Sequence, residues 1–391
     1  MTSDNKIIVP FVKRQCSNQT SFLVEDSPWE GMPNTRYQGS KRKLLPYLYQ
    51  IFAQQKCKSA LDAFGGTGSV SYLLSRMGVD ITYNDILPAN CEIARALISP
   101  GPIHFKKDDL EGLFKKKRGV SYHKYISDLF QGIYFLDQEN EQLDVVAQNI
   151  SRIGDTTARA EAYYLLFQSM LCKRPYNLFH RANLEMRTRD VKRGFGNKAT
   201  WDRPFIEHMK KFYVELANAR ALRRSTKVQI RNQSAFKLEG EWDLVYIDTP
   251  YAKSAGLQES NYFNFYHFLD AMRDYASIPK MIQHDLKHRP YYPFNKPWFP
   301  GEDIDSAFNT LLARFSGSGA VVVSYRNDGY PTMERIEELL KENYQNVSNV
   351  VATGYKYALS TRKLETKEIV LVATEPRSMP SRKLANAMGA R

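Results

Sequence analysis

The fold class follows from residues 59–85, which read SALDAFGGTGSVSYLLSRMGVDITYND. The apolar pattern predicts a strand over residues 59–64, a helix over residues 69–76 and a second strand over residues 80–83. The glycines that separate the first strand from the helix are typical of a tight turn. A strand, a helix and a second strand in this order form a βαβ unit, which is the building block of parallel sheets. We therefore expect an α/β protein.

Further elements of the same sheet are predicted along the chain. They are a helical stretch over 138–172, strands over 227–231, 243–247 and 320–325, a helix over 334–342, and two final strands near 349–357 and 368–373. The strands over 243–247 and 320–325 are apolar enough to be buried on both faces. The two final strands are expected to close the sheet as an antiparallel pair. Five prolines between Pro279 and Pro300 predict an irregular insertion.

The composition excludes several classes of protein. The chain has 391 residues, of which 43% are hydrophobic and 25% charged, as is usual for a globular protein. Its apolar runs are far shorter than the roughly 18 residues of a spanning helix, and no signal-peptide core begins the chain. The four cysteines are too widely spaced to predict a disulfide framework or a CxxC metal pair. We expect a cytoplasmic protein that spans no membrane and requires no metal.

The positive charge is concentrated in one segment. The whole chain has a net charge of +13, and residues 173–231 contain 16 Lys+Arg and five Asp+Glu, a net +11. Aromatic residues are interleaved with these cations, a mixture that suits phosphate contacts together with stacking or wedging side chains. A set of solvated helix faces is the alternative explanation. The shorter run KKKR at residues 115–118 is interpreted as an exposed loop.

A glycine-rich turn is the first candidate site. Residues 62–68 read DAFGGTG and join the first predicted strand to the helix, where glycines let a ligand approach the backbone closely. The spacing is not that of the dinucleotide fingerprint GxGxxG. Asp85 ends the second strand, where such folds place a carboxylate that accepts hydrogen bonds from ribose hydroxyls. A structural turn with a helix-capping Asp is the alternative.

Two further motifs place polar or aromatic residues at the end of a strand or at the start of a helix. Residues 245–251 read VYIDTPY, so a buried strand delivers Asp248, Pro250 and Tyr251 to its carboxyl edge. A carboxylate there can hold the amino group of a base, and an aromatic ring can stack on it. An N-cap followed by a turn is the alternative. Residues 36–45, RYQGSKRKLL, form a glycine loop that enters a helix with clustered cations.

Taken in chain order, YxGSK at residues 37–41, DxFxGxG at 62–68 and DxPY at 248–251 resemble the Dam-like, D12-class DNA adenine methyltransferases. The resemblance covers most of residues 34–374, and residues 173–184 and 193–196 are similar to segments that follow the middle helices of that family. It implies an α/β fold with a Rossmann-like class I methyltransferase sheet and an inserted, mainly helical, basic target-recognition region.

The resemblance also implies a division of the chain. An N-terminal extension occupies residues 1–33, and the methyltransferase domain has two parts, residues 34–135 and 227–376. The helical basic DNA-recognition region occupies residues 136–226 between them. A basic tail, residues 377–391, ends the chain.

The family's site is carried over to matching positions. The residues implied in binding S-adenosylmethionine are Tyr37, Lys41, Asp62, Phe64, Gly65, Gly66, Gly68, Asp85, Ser234, Phe236 and Asp248. The catalytic residues implied are Asp248, Thr249, Pro250 and Tyr251. At position 249 the family's commonest form has a proline, but the backbone carbonyl survives the change. Asp248 and that carbonyl would orient the amino group, and Tyr251 would stack on a flipped base.

The expected partner is double-stranded DNA with a flipped target base. The DNA-binding residues expected within the basic segment are Lys173, Arg174, Asn177, Arg181, Arg187, Arg189, Lys192, Arg193 and Lys198. We expect a monomeric, bacterial or phage-encoded, site-specific adenine methyltransferase of a restriction-modification or epigenetic marking system, with a cognate restriction endonuclease as a second partner. Methylation of the cytosine amino group, methylation of RNA, and a catalytically silent DNA-binding homologue are the alternatives.

Overall fold

The computed structural model describes residues 6–7, 27–34, 36–37, 39–180, 182, 184–187, 197–254, 257–258, 261–291, 303–351 and 368–377. Its strands are β1 (Lys6–Ile7), β2 (Ser59–Asp62), β3 (Asp80–Asn84), β4 (Val228–Arg231), β5 (Leu244–Ile247), β6 (Ala252–Ser254), β7 (Leu257–Gln258), β8 (Ala320–Arg326), β9 (Tyr344–Val351) and β10 (Glu368–Pro376). Eight of them form one sheet in the order β1-β9-β10-β8-β5-β2-β3-β4, and β6 pairs with β7.

The sheet is parallel except for one strand. Strands β8, β5, β2, β3 and β4 pair in parallel, whereas β10 is antiparallel to both of its neighbours, β8 and β9. The predicted α/β class and the final antiparallel pair are therefore confirmed. Strand β9 begins five residues earlier than predicted, at Tyr344, and the predicted strand beyond Val351 lies outside the described residues.

The helices are α1 (Leu45–Gln55), α2 (Ser69–Arg76), α3 (Pro88–Ile98), α4 (Tyr125–Leu129), α5 (Asp137–Ser151), α6 (Thr156–Cys172), α7 (Asn197–Asp202), α8 (Phe205–Ala221), α9 (Tyr262–Arg273), α10 (Ile278–Met281), α11 (Ile304–Arg314) and α12 (Met333–Asn343). The stretch predicted as helical over 138–172 is two helices, α5 and α6. They separate because Asp155 caps α6, accepting a 2.7 Å hydrogen bond from the backbone nitrogen of Ala158.

Two apolar clusters cover the two faces of the sheet. Successive residues of a strand point to opposite faces, so Tyr246 and Val322 belong to one cluster while Val245 and Val321 belong to the other. The first cluster also contains side chains of α1, α2, α3, α5, α6, α8 and α9. The second contains side chains of α11 and α12. Helices α5, α6 and α8 of the predicted recognition region thus share a core with the sheet.

The predicted extension and insertion are described only in part. Within residues 1–33, Lys6–Ile7 adds a short parallel strand beside β9, with Lys6 opposite Asn349. Helix α10 lies at the start of the proline-rich stretch, and residues 282–291 form neither helix nor strand, as predicted. The tail, residues 377–391, lies outside the described residues except for Arg377.

Candidate active site

A cleft of about 950 Å³, including space open to solvent, lies at the carboxyl ends of β2, β3 and β5. Open α/β sheets bind their ligands at this edge. Of the predicted site residues, the cleft is lined by Tyr37, Lys41, Asp62, Phe64, Gly65, Gly66, Asp85, Ser234, Asp248, Thr249 and Pro250. The fold therefore brings the three sequence motifs together around one cavity. Gly68, Phe236 and Tyr251 do not belong to its lining.

The glycine-rich turn packs directly on an aromatic ring. A Cβ atom on Gly65 would lie 2.1 Å from a ring carbon of Tyr83, so no larger residue fits there without a shift of the backbone. Gly66 has a φ of +51° and Gly68 a φ of +73°, which favour glycine. Gly68 is also the N-cap of α2, and it shapes the turn from beneath the cleft. The turn is held close to the sheet, leaving its backbone open to the cavity.

Asp62 ends β2, and one of its two carboxylate oxygens accepts hydrogen bonds from the protein. Its Oδ2 accepts hydrogen bonds from the backbone nitrogen of Ser71 at 3.2 Å and from the Ser71 hydroxyl at 2.7 Å. Its Oδ1 is buried and has no hydrogen-bond partner among the described residues. Burial raises the pKa of Asp62 to about 7. A buried acceptor of this kind, on the wall of a cleft, suits a ligand that donates a hydrogen bond or carries positive charge.

Asp85 directly follows β3 and connects the glycine-rich turn to α3. Its Oδ2 accepts from the backbone nitrogen of Gly66 and its Oδ1 from that of Leu87, both at 2.8 Å. Burial raises its pKa to about 6. Next to it, the Asn84 side chain donates to the carbonyls of Ala63 and Gln233, each at 3.0 Å. Asn84 was not among the predicted site residues, although it lies within the quoted sequence and lines the cleft.

Tyr37 closes another side of the cleft through aromatic packing. Its ring stacks on Tyr266 of α9 with centroids 3.7 Å apart, and Tyr262 lies beyond at 5.8 Å. The Asn90 side chain donates to its hydroxyl at 3.0 Å. Burial raises the pKa of Tyr37 well above its ordinary value. The first motif is thereby fixed against α9. The first two residues of α9, Tyr262 and Phe263, also line the cleft. No sequence motif identifies them as site residues.

A buried charge cluster lies behind the cleft wall. The Lys41 ammonium is 2.8 Å from Asp248 Oδ2, 2.8 Å from the Tyr251 hydroxyl and 3.5 Å from Glu368 Oε1. Burial alone would lower the pKa of Lys41, but the two carboxylates hold it well above its ordinary value. Burial raises the pKa of Asp248 to about 6, against the opposing effect of Lys41. The close contact with Lys41 therefore favours an ammonium ion beside an ionised Asp248.

Glu368 was not identified from the sequence. It is the first residue of β10 and is fully buried, and the Ser324 hydroxyl of β8 donates a hydrogen bond to it. No motif surrounds it, because its neighbours in the cluster come from positions far away in the chain. The signal that could have found it is a single acidic residue at the start of an otherwise apolar strand, since Glu is rarely buried without a partner.

Tyr251 is buried, and its hydroxyl is engaged. The hydroxyl lies 3.1 Å from Glu368 Oε1, and the ring makes an edge-on contact with Tyr325 at 5.3 Å. The ring thus packs behind the cleft wall, whereas the sequence-based hypothesis presents its face to a base. Thr249 is also buried, and its hydroxyl has no hydrogen-bond partner in the described part of the chain.

Three expected DNA-binding residues lie in the protein interior. Lys173, Arg174 and Arg187 are buried. Lys173 Nζ and Arg187 Nη1 meet the two oxygens of Glu139 at 2.8 and 2.7 Å, and Arg174 donates to the Tyr134 carbonyl at 2.9 Å. The expectation that these three side chains contact phosphates is therefore corrected. A count of charges does not distinguish exposed cations from cations paired inside the fold.

The remaining expected DNA contacts have different positions. Lys198 is exposed on α7, and Asn177 is half-buried with a φ of +58°. Arg181, Arg189, Lys192 and Arg193 lie outside the described residues. Beside Asn177, Tyr176 has a φ of +56° and is 58% exposed, which is unusual for a large aromatic side chain. An exposed surface of the basic segment thus exists at Tyr176 and Lys198.

Comparison with known proteins supports the motif assignment. The family of D12 class N6 adenine-specific DNA methyltransferases matches residues 37–289, which is more than half of the chain. The chain is also 24% identical over 348 residues to type II methyltransferase M2.HphI of Haemophilus parahaemolyticus, with 87% of this chain and 96% of that protein covered. Across the described ranges, no helix has the length and apolar character needed to cross a membrane.

Proposed function

Because the chain belongs to the D12 class N6 adenine-specific DNA methyltransferases, we propose that it transfers a methyl group from S-adenosylmethionine to the N6 amino group of adenine in a specific sequence of double-stranded DNA. The observation that carries this proposal is the position of Asp248. It lies at the end of β5, on the wall of the cleft that the glycine-rich turn and Asp62 also line. A carboxylate acceptor and an open cleft lined by the glycine-rich turn are thus adjacent.

The residues around the cleft fit S-adenosylmethionine. The buried Oδ1 of Asp62 offers an acceptor without a protein partner, and the backbone of Gly65 and Gly66 is open to the cavity. We assign Asp85 to the ribose hydroxyls, with Tyr37 and Ser234 completing the binding surface. Lys41 contributes to the site mainly by holding Asp248 in place, because its ammonium ion is bound to that carboxylate. The bound cofactor supplies an electrophilic methyl group on a sulfonium ion.

Asp248 and the Thr249 carbonyl act on the amino group. An amine conjugated to a purine is a poor nucleophile, because its lone pair is delocalised into the ring. Two acceptors for its hydrogens hold the amine so that the lone pair is directed toward the methyl group. The Lys41 ammonium, 2.8 Å from Asp248 Oδ2, favours the ionised carboxylate, which can therefore accept. The rate enhancement comes from orientation, without a covalent bond between protein and base.

The adenine must leave the duplex to reach this site, at a cost of a few kcal/mol. We propose that Pro250 and Tyr251 contact the flipped base. Stacking on the Tyr251 ring requires that ring, now packed against Tyr325, to become accessible from the cleft. Tyr262 and Phe263 border the same space from α9 and offer further aromatic contact.

DNA binding is assigned to the exposed part of the region 136–226. Lys198, Arg203 and Lys211 are exposed cations there, and Tyr176 offers an exposed ring. Exposed cations suit contacts with the phosphate backbone, and an exposed aromatic ring suits contacts with base steps. The four basic residues expected between positions 181 and 193 remain predicted contacts of the same surface.

The biological setting is also a proposal. The relative M2.HphI is named a type II methyltransferase, and we propose that this chain likewise modifies DNA in a restriction-modification system of a bacterial or phage genome, alongside a cognate endonuclease. We propose a monomer that acts in the cytoplasm. DNA isolated from cells that express the chain should resist one restriction activity, and methylation-aware sequencing should find one methylated sequence.

The direct test is a nucleoside assay. Purified protein is incubated with double-stranded DNA and S-adenosylmethionine that carries a labelled methyl group, and the DNA is digested to nucleosides. We expect label in N6-methyldeoxyadenosine. Label in N4-methyldeoxycytidine, or in RNA in place of DNA, would contradict the substrate assignment. Binding of S-adenosylhomocysteine and of DNA without any methyl transfer would instead identify a silent DNA-binding protein.

A further inference from the structure

Glu368 lies in the active-site cluster although it is outside the matched residues 37–289. Its carboxylate is fully buried on β10, opposite β8 in the antiparallel pair. Ser324 donates a hydrogen bond to it, the Tyr251 hydroxyl lies 3.1 Å from Oε1 and 3.3 Å from Oε2, and the Lys41 ammonium lies 3.5 Å from Oε1. Within the described part of the chain, two carboxylates, Glu368 and Asp248, therefore lie within 3.5 Å of the Lys41 ammonium.

The Tyr251 hydroxyl has a single hydrogen to donate. Lys41 donates to its oxygen at 2.8 Å, so the hydroxyl acts as donor toward a carboxylate. Among the described residues, two carboxylates compete for that hydrogen, namely Glu368 at 3.1 Å and Asp248 Oδ1 at 3.4 Å. The shorter distance favours Glu368. As long as Glu368 takes the hydrogen, Asp248 Oδ1 stays available, while Asp248 Oδ2 is bound to Lys41.

We propose that Glu368 is a positioning residue for methyl transfer, which draws the Tyr251 hydroxyl away from Asp248 and so leaves Asp248 Oδ1 free to accept a hydrogen from the substrate amine. The inference rests on the proposed function. Glu368 itself touches neither substrate nor cofactor, because it lies behind Lys41 and Tyr251 and does not line the cleft.

The second carboxylate also affects the charge of Asp248. Lys41 lowers the pKa of Asp248 and Glu368 raises it, in addition to the larger effect of burial. Removal of the Glu368 charge should therefore lower the pKa of Asp248 and move the acid limb of the activity profile to lower pH. Among the described residues, Asp62, Tyr246, Tyr251 and Tyr262 are further titratable groups that act on this site. The Arg326 guanidinium also lies over the Tyr251 ring, 5.7 Å from its centroid.

The test is Glu368→Gln in the full chain, with single-turnover rates measured across pH on adenine-containing DNA. We expect the rate of methyl transfer to fall about tenfold or more, on the scale of one misplaced hydrogen bond. The acid limb should move to lower pH. Affinities for S-adenosylhomocysteine and for DNA should change by less than about threefold, because Glu368 contacts neither.

Glu161→Gln is the matched control. Glu161 is also a fully buried carboxylate with a cationic partner, Arg220 at 2.7 Å, but it lies away from the cleft. A purely structural role predicts that both variants lose thermal stability and keep the wild-type acid limb. If Glu368→Gln keeps both the rate and the acid limb of the wild type, the positioning role is wrong. If the wild-type protein itself methylates no adenine, the proposed function fails first.

A second pair of variants keeps the proposal testable if Glu368→Gln does not fold. Ser324→Ala removes the hydroxyl that fixes Glu368, and a smaller fall in rate is expected. In Tyr251→Phe the competing hydrogen is absent, so loss of Glu368 should cost less in that background than in the wild type. A full rate in Ser324→Ala, or strict additivity of the Glu368 and Tyr251 changes, would contradict the inference.

Discussion

Two buried clusters of charge in this molecule have opposite composition. The cluster behind the cleft has two carboxylates around one cation, Lys41, and its Asp248 side chain is 15% exposed toward the cleft. The cluster in the helical region has two cations, Lys173 and Arg187, around one carboxylate, Glu139. In the second cluster the excess positive charge is stabilised by a backbone dipole, because both cations also donate to the Trp201 carbonyl.

The comparison distinguishes a charge cluster that can bind a ligand from one that only stabilises the fold. Both clusters contain ions that are expensive to bury and therefore need partners. Only the cleft cluster keeps an acceptor oxygen next to an open cavity, so an approaching amine can complete it. The Glu139 cluster is complete without a ligand and does not line the cleft. Burial and pairing of charges therefore indicate function only where a cavity adjoins them.

The largest effect is expected at Asp248. Asp248→Asn replaces an anionic acceptor with an amide, so the substrate amine loses its orienting partner. Methyl transfer should fall by about a thousandfold or more, where each tenfold corresponds to about 1.4 kcal/mol in the barrier. Single-turnover kinetics measure the rate, while filter binding should show retained DNA affinity. A rate within tenfold of the wild type would place the catalytic carboxylate elsewhere.

The corresponding change in the other cluster should act on stability. Glu139→Gln leaves Lys173 and Arg187 buried without their anion, and we expect a loss of about 3 kcal/mol in the free energy of unfolding. Despite the opposing effect of burial, Arg187 and Lys173 hold the pKa of Glu139 below its ordinary 4.5. Its contribution is therefore present above pH 4.5 and is lost as pH falls through the lowered pKa.

Chemical denaturation of both proteins at pH 7 and near pH 3 measures that contribution. The difference between wild type and Glu139→Gln should shrink at the lower pH. The rate of methyl transfer per folded molecule should be close to that of the wild type. A strongly reduced rate with normal stability would reverse the roles assigned to the two clusters.

The same contrast explains what the sequence could predict. Residues 59–85 determine local structure within one continuous stretch, and their strands, helix and turn lie close to where the pattern placed them. The cleft follows, because the ends of neighbouring parallel strands share one edge. Glu368 could not be found in this way. Its partners belong to residues 41, 251 and 324, and only the strand order brings them together.

The basic segment shows a different limit. A count of charges does not determine which cations are exposed, and Lys173 and Arg174 of this segment are buried. The sequence before these two residues does contain a local indication that they are buried. Helix α6 is buried on nearly all sides, and a helix that is apolar all round is typical of a protein interior. Residues that directly follow such a helix emerge inside the fold, where a cation needs partners.

A smaller effect is expected for cofactor binding at Asp62. Burial raises the pKa of Asp62 to about 7, and the ionised form is the better acceptor. Affinity for S-adenosylhomocysteine should therefore weaken as pH falls from 8 to 6, with proton release on binding near neutral pH. Asp62→Asn should bind about tenfold or more weakly and lose this pH dependence. Calorimetry in buffers of different ionisation enthalpy measures both quantities, and an unchanged pH dependence would exclude Asp62.

The DNA surface should respond to salt in a residue-specific way. Exposed Lys198 is a candidate phosphate contact, whereas Arg187 is buried against Glu139. Lys198→Ala should reduce the slope of log affinity against log salt by about 0.9, the value for one neutralised phosphate. Arg187→Met should leave the slope unchanged in folded protein. Equal slopes for Lys198→Ala and wild type would show that Lys198 does not contact a phosphate and that other cations bind the DNA.

The smallest effect is expected at Thr249, whose buried hydroxyl has no partner among the described residues. Thr249→Val keeps the backbone carbonyl and replaces the hydroxyl with a methyl group of similar size. We expect about 1 kcal/mol of added stability and a rate of methyl transfer within about tenfold of the wild type. Differential scanning calorimetry and the nucleoside assay measure the two quantities. A large fall in rate would show that the hydroxyl binds the substrate or cofactor.

The position of β10 in the sheet bears on the order in which the cleft and the sheet form during folding. Within the described strands, β9 pairs with β10 and with the two-residue β1, so it has no direct hydrogen bonds to the parallel strands. Strand β9 therefore reaches the main sheet only through β10, which pairs with β8. All residues that line the cleft lie between Tyr37 and Phe263 and can be assembled without β10. A nascent or partly folded chain could thus acquire its cofactor pocket first, and gain the carboxylate that organises Asp248 only when the sheet closes.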